Sequence, residues 1–171
     1  MSDPIVPSPI SSGNARLMTP LRDLSVWTHH FLQAEIPVLA STSQALEALR
    51  AIEDDVDAAM LARVIDADPL LSIKYLAHAA SRRRGRDATE TETVLSSLVM
   101  TGVLPFFNQF GLQPTVEERL QDLPHALEAL QALMHRARRA GNFALAFAVH
   151  RGDTDAAVIH QAAFLHDFAE M

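Results

Sequence analysis

Leu61-Ala62-Arg63-Val64-Ile65-Asp66-Ala67-Asp68-Pro69-Leu70-Leu71-Ser72-Ile73-Lys74-Tyr75-Leu76-Ala77-His78-Ala79-Ala80-Ser81 reads as two amphipathic helices with a hinge between them. Before the hinge, Met60, Leu61, Val64 and Ile65 recur at helical spacing and so share one face. Asp66-Ala67-Asp68-Pro69 is a stop followed by a start. Asp68 can accept from the free N–H groups of the next first turn, and Pro69 stands at the first helical position, where its missing N–H costs nothing. Beyond it, Leu70, Ile73, Leu76 and Ala77 predict an inward face, with the helix ending near Ser81. Two antiparallel helices joined by a tight turn are the expected local unit.

Working upstream, Pro37 pushes Ile36 out of helical geometry, so Ile36-Pro37-Val38-Leu39 should be extended. Ser41 or Ser43 is then placed to cap a helix aligning Ala45, Leu46, Leu49 and Ile52; Asp54 or Asp55 should end it, and a second begins near Asp57. A short helix over about Pro20 to Gln33 would dock Leu21, Leu24, Trp27 and Phe31 on the core. Residues 1–15, rich in Pro, Ser and Gly, are expected to be a flexible arm, with 16–35 a helical extension and 36–171 the main domain.

Downstream, helical patterning resumes at about Glu92, with Val94, Leu95, Leu98 and Val99 apolar and Gly102 placed to end or bend it. Pro105 suits the first turn of a new helix in the apolar stretch 103–110. Gln113-Pro114 marks a turn, and Glu117 to Leu120 a short helical stretch. Pro124 opens the longest tract, from His125 to about His150; a last helix follows Arg151-Gly152-Asp153, from Thr154 to the terminus. No useful strand-like alternation and no fixed-period repeat occurs. The expected fold class is an all-α, multi-helix bundle.

Composition agrees. The 171 residues are enough for one domain to bury a core without staples. Apolar residues make up 49 % but aromatics only 6 %, a mixture led by Ala and Leu that favours helix over sheet. The absence of cysteine excludes disulfides, a thiolate nucleophile and a Cys-based zinc site. A net charge of −7 argues against general nucleic-acid binding. There is neither a signal-peptide pattern nor a run of about 18 apolar residues that would cross a bilayer. A soluble, cytoplasmic protein is expected.

Three constellations carry chemistry. Arg82-Arg83-Arg84-Gly85-Arg86 could hold a phosphate, a nucleotide or an acidic partner through guanidinium contacts; the plainer alternative is a solvated loop turning at Gly85, its field offset by the acids of 87–92. Arg136, Arg138 and Arg139 form either a solvated basic face or a binding edge for a nucleotide second messenger or an acidic helix. His166-Asp167 is an adjacent pair near the end of the chain. His29, His30, His125, His150 and His160 lack partners at metal-ligand spacing and read as surface or half-buried residues. No Gly-rich phosphate loop, serine elbow or His-Glu-x-x-His motif occurs.

In their order these pieces resemble the HDOD domain, a signalling module of bacterial proteins related to the HD phosphohydrolases. Ile36-Pro37-Val38-Leu39 resembles the family's Leu-Pro-x-Leu-Pro entry, followed by Ser43 to Leu49. The 61–81 stretch is similar to its isoleucine, Ser/Asp-x-Asp-Pro turn and Leu-x-x-Ala-x-Ser helix end, and Thr93 to Val103 to its apolar helix and Leu-Gly break. His135 stands where the family often has a histidine, and His166-Asp167 falls on its His-Asp-like helix. The resemblance spans about Ile36 to Met171.

The resemblance implies an HD-related bundle serving regulation in bacterial signal transduction, often alongside response-regulator or cyclic-dinucleotide proteins. A non-enzymatic role through protein–protein contacts, without a cofactor, is the reading it favours. One alternative is a divalent-metal-dependent phosphohydrolase using His135, His166 and Asp167; another is nucleotide sensing without turnover. Phe168-Ala169-Glu170 stands where HD enzymes have Ile-Gly-Lys, so an acid replaces a base that could meet a phosphate. A carboxylate ligand after the pair is also missing, since Asp153 and Asp155 lie before it, although three ligands can hold zinc with an open position. The alternative for the pair is a hydrogen-bonded His166 near the core and an Asp167 contacting a helix end or a basic side chain. The family pattern continues past this point, implying a piece of a longer protein or a shortened member completed by a partner. A homodimer covering the incomplete C-terminal face is one such arrangement.

Overall fold

The structure, a computed structural model, describes residues 20–26, 29, 35–82, 93–168 and 171. The expected arm, residues 27, 28 and 30–33 of the expected 20–33 helix, Arg83, Arg84 and Arg86 lie outside the described residues. The chain divides into two units, Met1–Glu35 and Ile36–Met171. In the first, Asp23 Oδ1 accepts from the backbone N–H groups of Ser25 and Val26, opening a helical turn at 24–26. Leu24, expected on a core-docking face, is exposed.

The second unit is helical. In order come α1 (Ala40–Arg50), a 3-10 turn (Glu53–Asp55), α2 (Ala58–Ile65), α3 (Pro69–Ser81), α4 (Val94–Thr101), α5 (Val103–Gln109), α6 (Val116–Arg119), α7 (Pro124–His150) and α8 (Ala156–Leu165). Among the described residues there is no strand beyond one parallel bridge between Val38 and Thr115, and no helix is long and apolar enough to cross a membrane.

The hinge forms as its residues dictate. Asp57 caps α2 by accepting from Met60 N at 2.7 Å, and Asp68 caps α3 by accepting from Leu70 N at 2.9 Å and Leu71 N at 3.3 Å. Ser72, fully buried, donates its hydroxyl to Ile65 O at 2.8 Å, which satisfies a carbonyl at the end of α2 from the start of α3.

Several details differ from expectation. Neither Ser41 nor Ser43 caps α1; Leu39 is its N-cap residue and has no side-chain cap of its own. Carboxylates distant in sequence replace it: Asp68 Oδ2 accepts from Leu39 N and Glu117 Oε2 from Ala40 N, both at 2.8 Å. Helix α1 ends at Arg50, which leaves Ile52 exposed. The buried face of α3 is Leu70, Leu71, Ser72, Tyr75 and Ala79, rotated from the expected Leu70, Ile73, Leu76 and Ala77. The rotation arises because α3 runs between two cores. Leu71 and Tyr75 join Leu61, Ile65, Leu98, Phe106 and Phe107 in one cluster, whereas Leu70 joins Val116 and Met134 in another.

The extended entry segment is fastened on two sides. Val38 N donates to Pro114 O and Val116 N to Val38 O, at 3.0 and 2.8 Å. Lys74 reaches from α3 to Ile36 O at 3.0 Å and also bonds Gln113 Oε1. The residues from Ile36 to Leu39 thereby connect α3 to the turn before α6.

Helices α7 and α8 form an antiparallel hairpin. Gly152 takes φ +68°, a left-handed conformation that disfavours side chains with a Cβ, and there the chain reverses. Gly141 lies where the helices come closest: a Cβ there would stand 3.1 Å from both His160 Nε2 and Phe164 Cβ. Gly to Ala inside a helix normally stabilises by about 1 kcal/mol. Here Phe164 is fully buried and has no room to retreat, so Gly141→Ala should instead destabilise by about 1–2 kcal/mol through overpacking. A lower urea midpoint in Gly141→Ala would show this; a raised midpoint would mean the hairpin has slack at that crossing.

Candidate functional site

The C-terminal pair is built by the end of α8 and the middle of α7. Helix α8 stops at Leu165, so His166 and Asp167 sit just past the last helical residue; the helix does not continue to the terminus as expected. His166 Nδ1 lies 2.7 Å from Ala163 O. A carbonyl only accepts, so Nδ1 is the donor, and the ring closes the last turn by engaging one of its open carbonyls. Phe168 and Met171 then pack against the cluster of Leu70, Val116 and Met134, which keeps the chain end beside α7.

Asp167 meets a basic side chain. Arg136 Nε donates to its Oδ2 at 3.1 Å, and His166 Nε2 lies 3.1 Å from its Oδ1. Both carboxylate oxygens and both imidazole nitrogens of the pair therefore face protein groups. Asp167 is largely covered, whereas Arg136 and His166 remain exposed.

His135, the third expected metal ligand, is one residue from Arg136 and so is turned by about 100° around α7. With Arg138 it lines a separate open cleft of about 310 Å³, facing Ser41 and Glu117. Among the described residues no three His, Asp or Glu side chains come together as a metal site. The trio His135, His166 and Asp167 is thus not assembled, and Arg136 occupies Oδ2 of Asp167. This donor set does not fit the divalent ion of an HD enzyme.

The arginine clusters are also divided. Arg136 serves Asp167, Arg138 lines the cleft and Arg139 is exposed. Arg82 lies at the end of α3, beside another cavity shared with His78 and Tyr75.

Two carboxylates, Asp68 buried and Asp66 half-buried, are more prominent than the sequence suggests. Asp68 is fully buried, and its carboxyl is raised above the usual range because desolvation outweighs bonds from Leu39, Thr42, Leu71 and Leu70. Asp66, at the end of α2, is pushed up to about 6 by burial, and its Oδ1 has no hydrogen-bond partner. Two histidines shift the other way. Burial and then the neighbouring Arg82 hold His78 below its usual value, and burial does the same to His160, which stacks on Phe164.

Comparison with known proteins gives one result. Residues 36–171 match the family described as the HDOD domain. No curated protein and no solved structure matches the chain.

Proposed function

Because the chain belongs to the HDOD domain family, we propose that it is a non-enzymatic module of bacterial signal transduction that works through protein–protein contacts. The observation that carries this reading is the engagement of Asp167 by Arg136 and of the last turn of α8 by His166 Nδ1, with His135 in a different cleft. Residues that hold a catalytic ion in an HD enzyme here join α7 to the end of α8. The pair acts as a latch within the hairpin.

Exposed apolar side chains supply surfaces for a partner. Phe143 and Phe147 stand one turn apart on α7, 61 % and 68 % exposed, with Val149 nearby in sequence. Leu95, Val99, Met100 and Leu104 are exposed on α4 and α5. Isolated exposed hydrophobic residues are ordinary, but contiguous groups of large ones are typical of interaction surfaces. Signalling proteins and a second copy of this chain are the partners this reading admits. Light scattering tests the second copy: a dimer weakened by Phe143→Ser with Phe147→Ser is expected, and a strictly monomeric, folded chain would count against it.

Metal content and turnover test the absence of catalysis. Protein purified without chelator should carry well under one equivalent of Mn, Fe or Zn and should not hydrolyse bis(p-nitrophenyl) phosphate. His166→Ala and Asp167→Ala should change neither result, and each should cost at most about 1 kcal/mol of stability, as partly exposed ion pairs do. Stoichiometric metal lost in both variants would overturn the reading in favour of a phosphohydrolase.

A further inference from the structure

The outer side of α7 carries one continuous stripe. Ala132, Arg136, Arg139, Phe143, Ala146 and His150 follow one another by four and three residues, a spacing that keeps side chains in line along a helix, and all are exposed. Phe147, next to Ala146, widens it. The middle of the stripe is apolar: residues 140–150 contain no Asp, Glu, Lys or Arg, and Phe143 and Phe147 are the phenylalanines left 61 % and 68 % exposed. Ala137, Gly141 and Ala148 belong to the buried side of the same helix, and α8 crosses there at Gly141. The phenylalanine face is left open.

The two ends of this face have opposite charge. Arg139 stands at one end, and among the described residues no carboxylate pairs with it. At the other end the turn into α8 holds Asp153 and Asp155, both exposed. Asp153 Oδ1 accepts from Asp155 N at 2.9 Å, and Asp155, the N-cap residue of α8, makes no side-chain cap bond to it. Arg151 is also at this end, but about 80° around the axis from Phe143. At about 1.5 Å per residue, Arg139 lies about 9 Å before the midpoint of the two phenylalanines, and the end of α7 at His150 lies about 8 Å beyond it. The order is cation, apolar centre, acids, at nearly equal spacing.

We propose that a second copy of this chain docks on this face, with the two α7 helices antiparallel about a two-fold axis between Phe143 and Phe147. Such an axis lays one stripe end for end on the other. Phe143 of each copy then meets Phe147 of the other, and each Arg139 reaches the other copy's Asp153 and Asp155. A parallel pairing would set arginine on arginine and acid on acid. Any other helix would have to carry the matching charge order independently, whereas a second copy has it by symmetry. The inference rests on the reading of α7 as a protein-contact surface and names its partner. Two rings exposed to this degree offer roughly 250 Å² per chain. With the flanking residues the interface falls at the small end of specific ones, so the Kd should be on the order of 10–100 μM.

Sedimentation equilibrium of the full chain, over about a hundredfold range of concentration around that Kd, should show wild type passing from monomer to dimer. Arg139→Glu alone, and Asp153→Lys with Asp155→Lys alone, should each weaken self-association at least about tenfold, because both ends of the interface become like-charged. Mixed in equal amounts, the two variants should form a one-to-one dimer within about threefold of the wild-type affinity, since one end is then native and the other is the same pair with its charges exchanged. The chain has no cysteine, so single introduced thiols give a second measurement that needs no charge change. A short bismaleimide should join Ala146→Cys chains, next to the axis, into covalent dimers and should leave Ala132→Cys chains, about 20 Å from it, unjoined. A wild type that stays monomeric overturns the inference and leaves contacts with other signalling proteins standing. A dimer indifferent to the charge reversals, or one joined as readily through Ala132→Cys as through Ala146→Cys, overturns the antiparallel pairing.

Discussion

Asp68→Ala should destabilise the protein by about 3–5 kcal/mol, the largest loss expected from any single substitution considered, because several buried donors lose their acceptor together. The carboxylate is fully buried and divides its oxygens between two jobs. Oδ1 caps α3 through Leu70 N and Leu71 N; Oδ2 accepts from Leu39 N, at the start of α1 and 29 residues away. Thr42, also buried, adds a side-chain bond. A surface N-cap is worth about 1 kcal/mol, but here three N–H groups and a hydroxyl would be left without partners in the interior. Asp68→Asn should recover only part of the loss. Its single oxygen can serve one side, and the amide then turns a donor toward the donor on the other. Urea denaturation gives the magnitude, and amide exchange at Leu39, Leu70 and Leu71 shows whether both helix starts loosen together.

Asp66→Asn should have the opposite sign at neutral pH. Asp66 sits at the C-terminal end of α2, where the helix presents its negative pole, and its Oδ1 is buried without a partner. The carboxyl has moved from 3.8 to about 6, which corresponds to a penalty of up to about 3 kcal/mol for holding the charge in the folded state. The site keeps some solvent contact, so a gain of about 1–3 kcal/mol is expected for the neutral isostere at pH 7. Folding raises this acid's pKa, so the folded state binds more protons between pH 3.8 and about 6. Its contribution to stability is full below the unfolded value and is lost as pH rises through about 6. The stability difference between variant and wild type should therefore shrink as pH falls from 7 to 4. A difference that stays constant across that window would show that Asp66 does not carry the charge penalty.

Much of the fold could be read from local rules. Asp57, Asp68 with Pro69, Pro124 and the apolar periodicities of 60–65 and 94–98 place helix starts within a residue or two, because caps and the helical period are properties of neighbours in sequence. Tertiary choices were not legible in the same way. The start of α1 depends on Asp68 and Glu117, and no local rule distinguishes them from Ser41. Periodicity points to a different inward face of α3 because it assumes one core, while this helix lies between two. At the C-terminus, the sequence offered His135, His166 and Asp167 as a set and Arg136 as part of a basic run. The turn of α7 by about 100° per residue separates His135 from Arg136, and the packing of Phe168 keeps the chain end beside α7, where Asp167 meets the arginine.

The central claim is that His166 and Asp167 close a hairpin and do not share an ion with His135. Imidazole nitrogen resonances of uniformly labelled protein, followed while zinc is added to one equivalent at neutral pH, test it most directly. The account predicts no stoichiometric event in which His135 and His166 shift together. Joint coordination shifts of His135 and His166, saturating at one zinc per chain and abolished by Asp167→Ala, would contradict it.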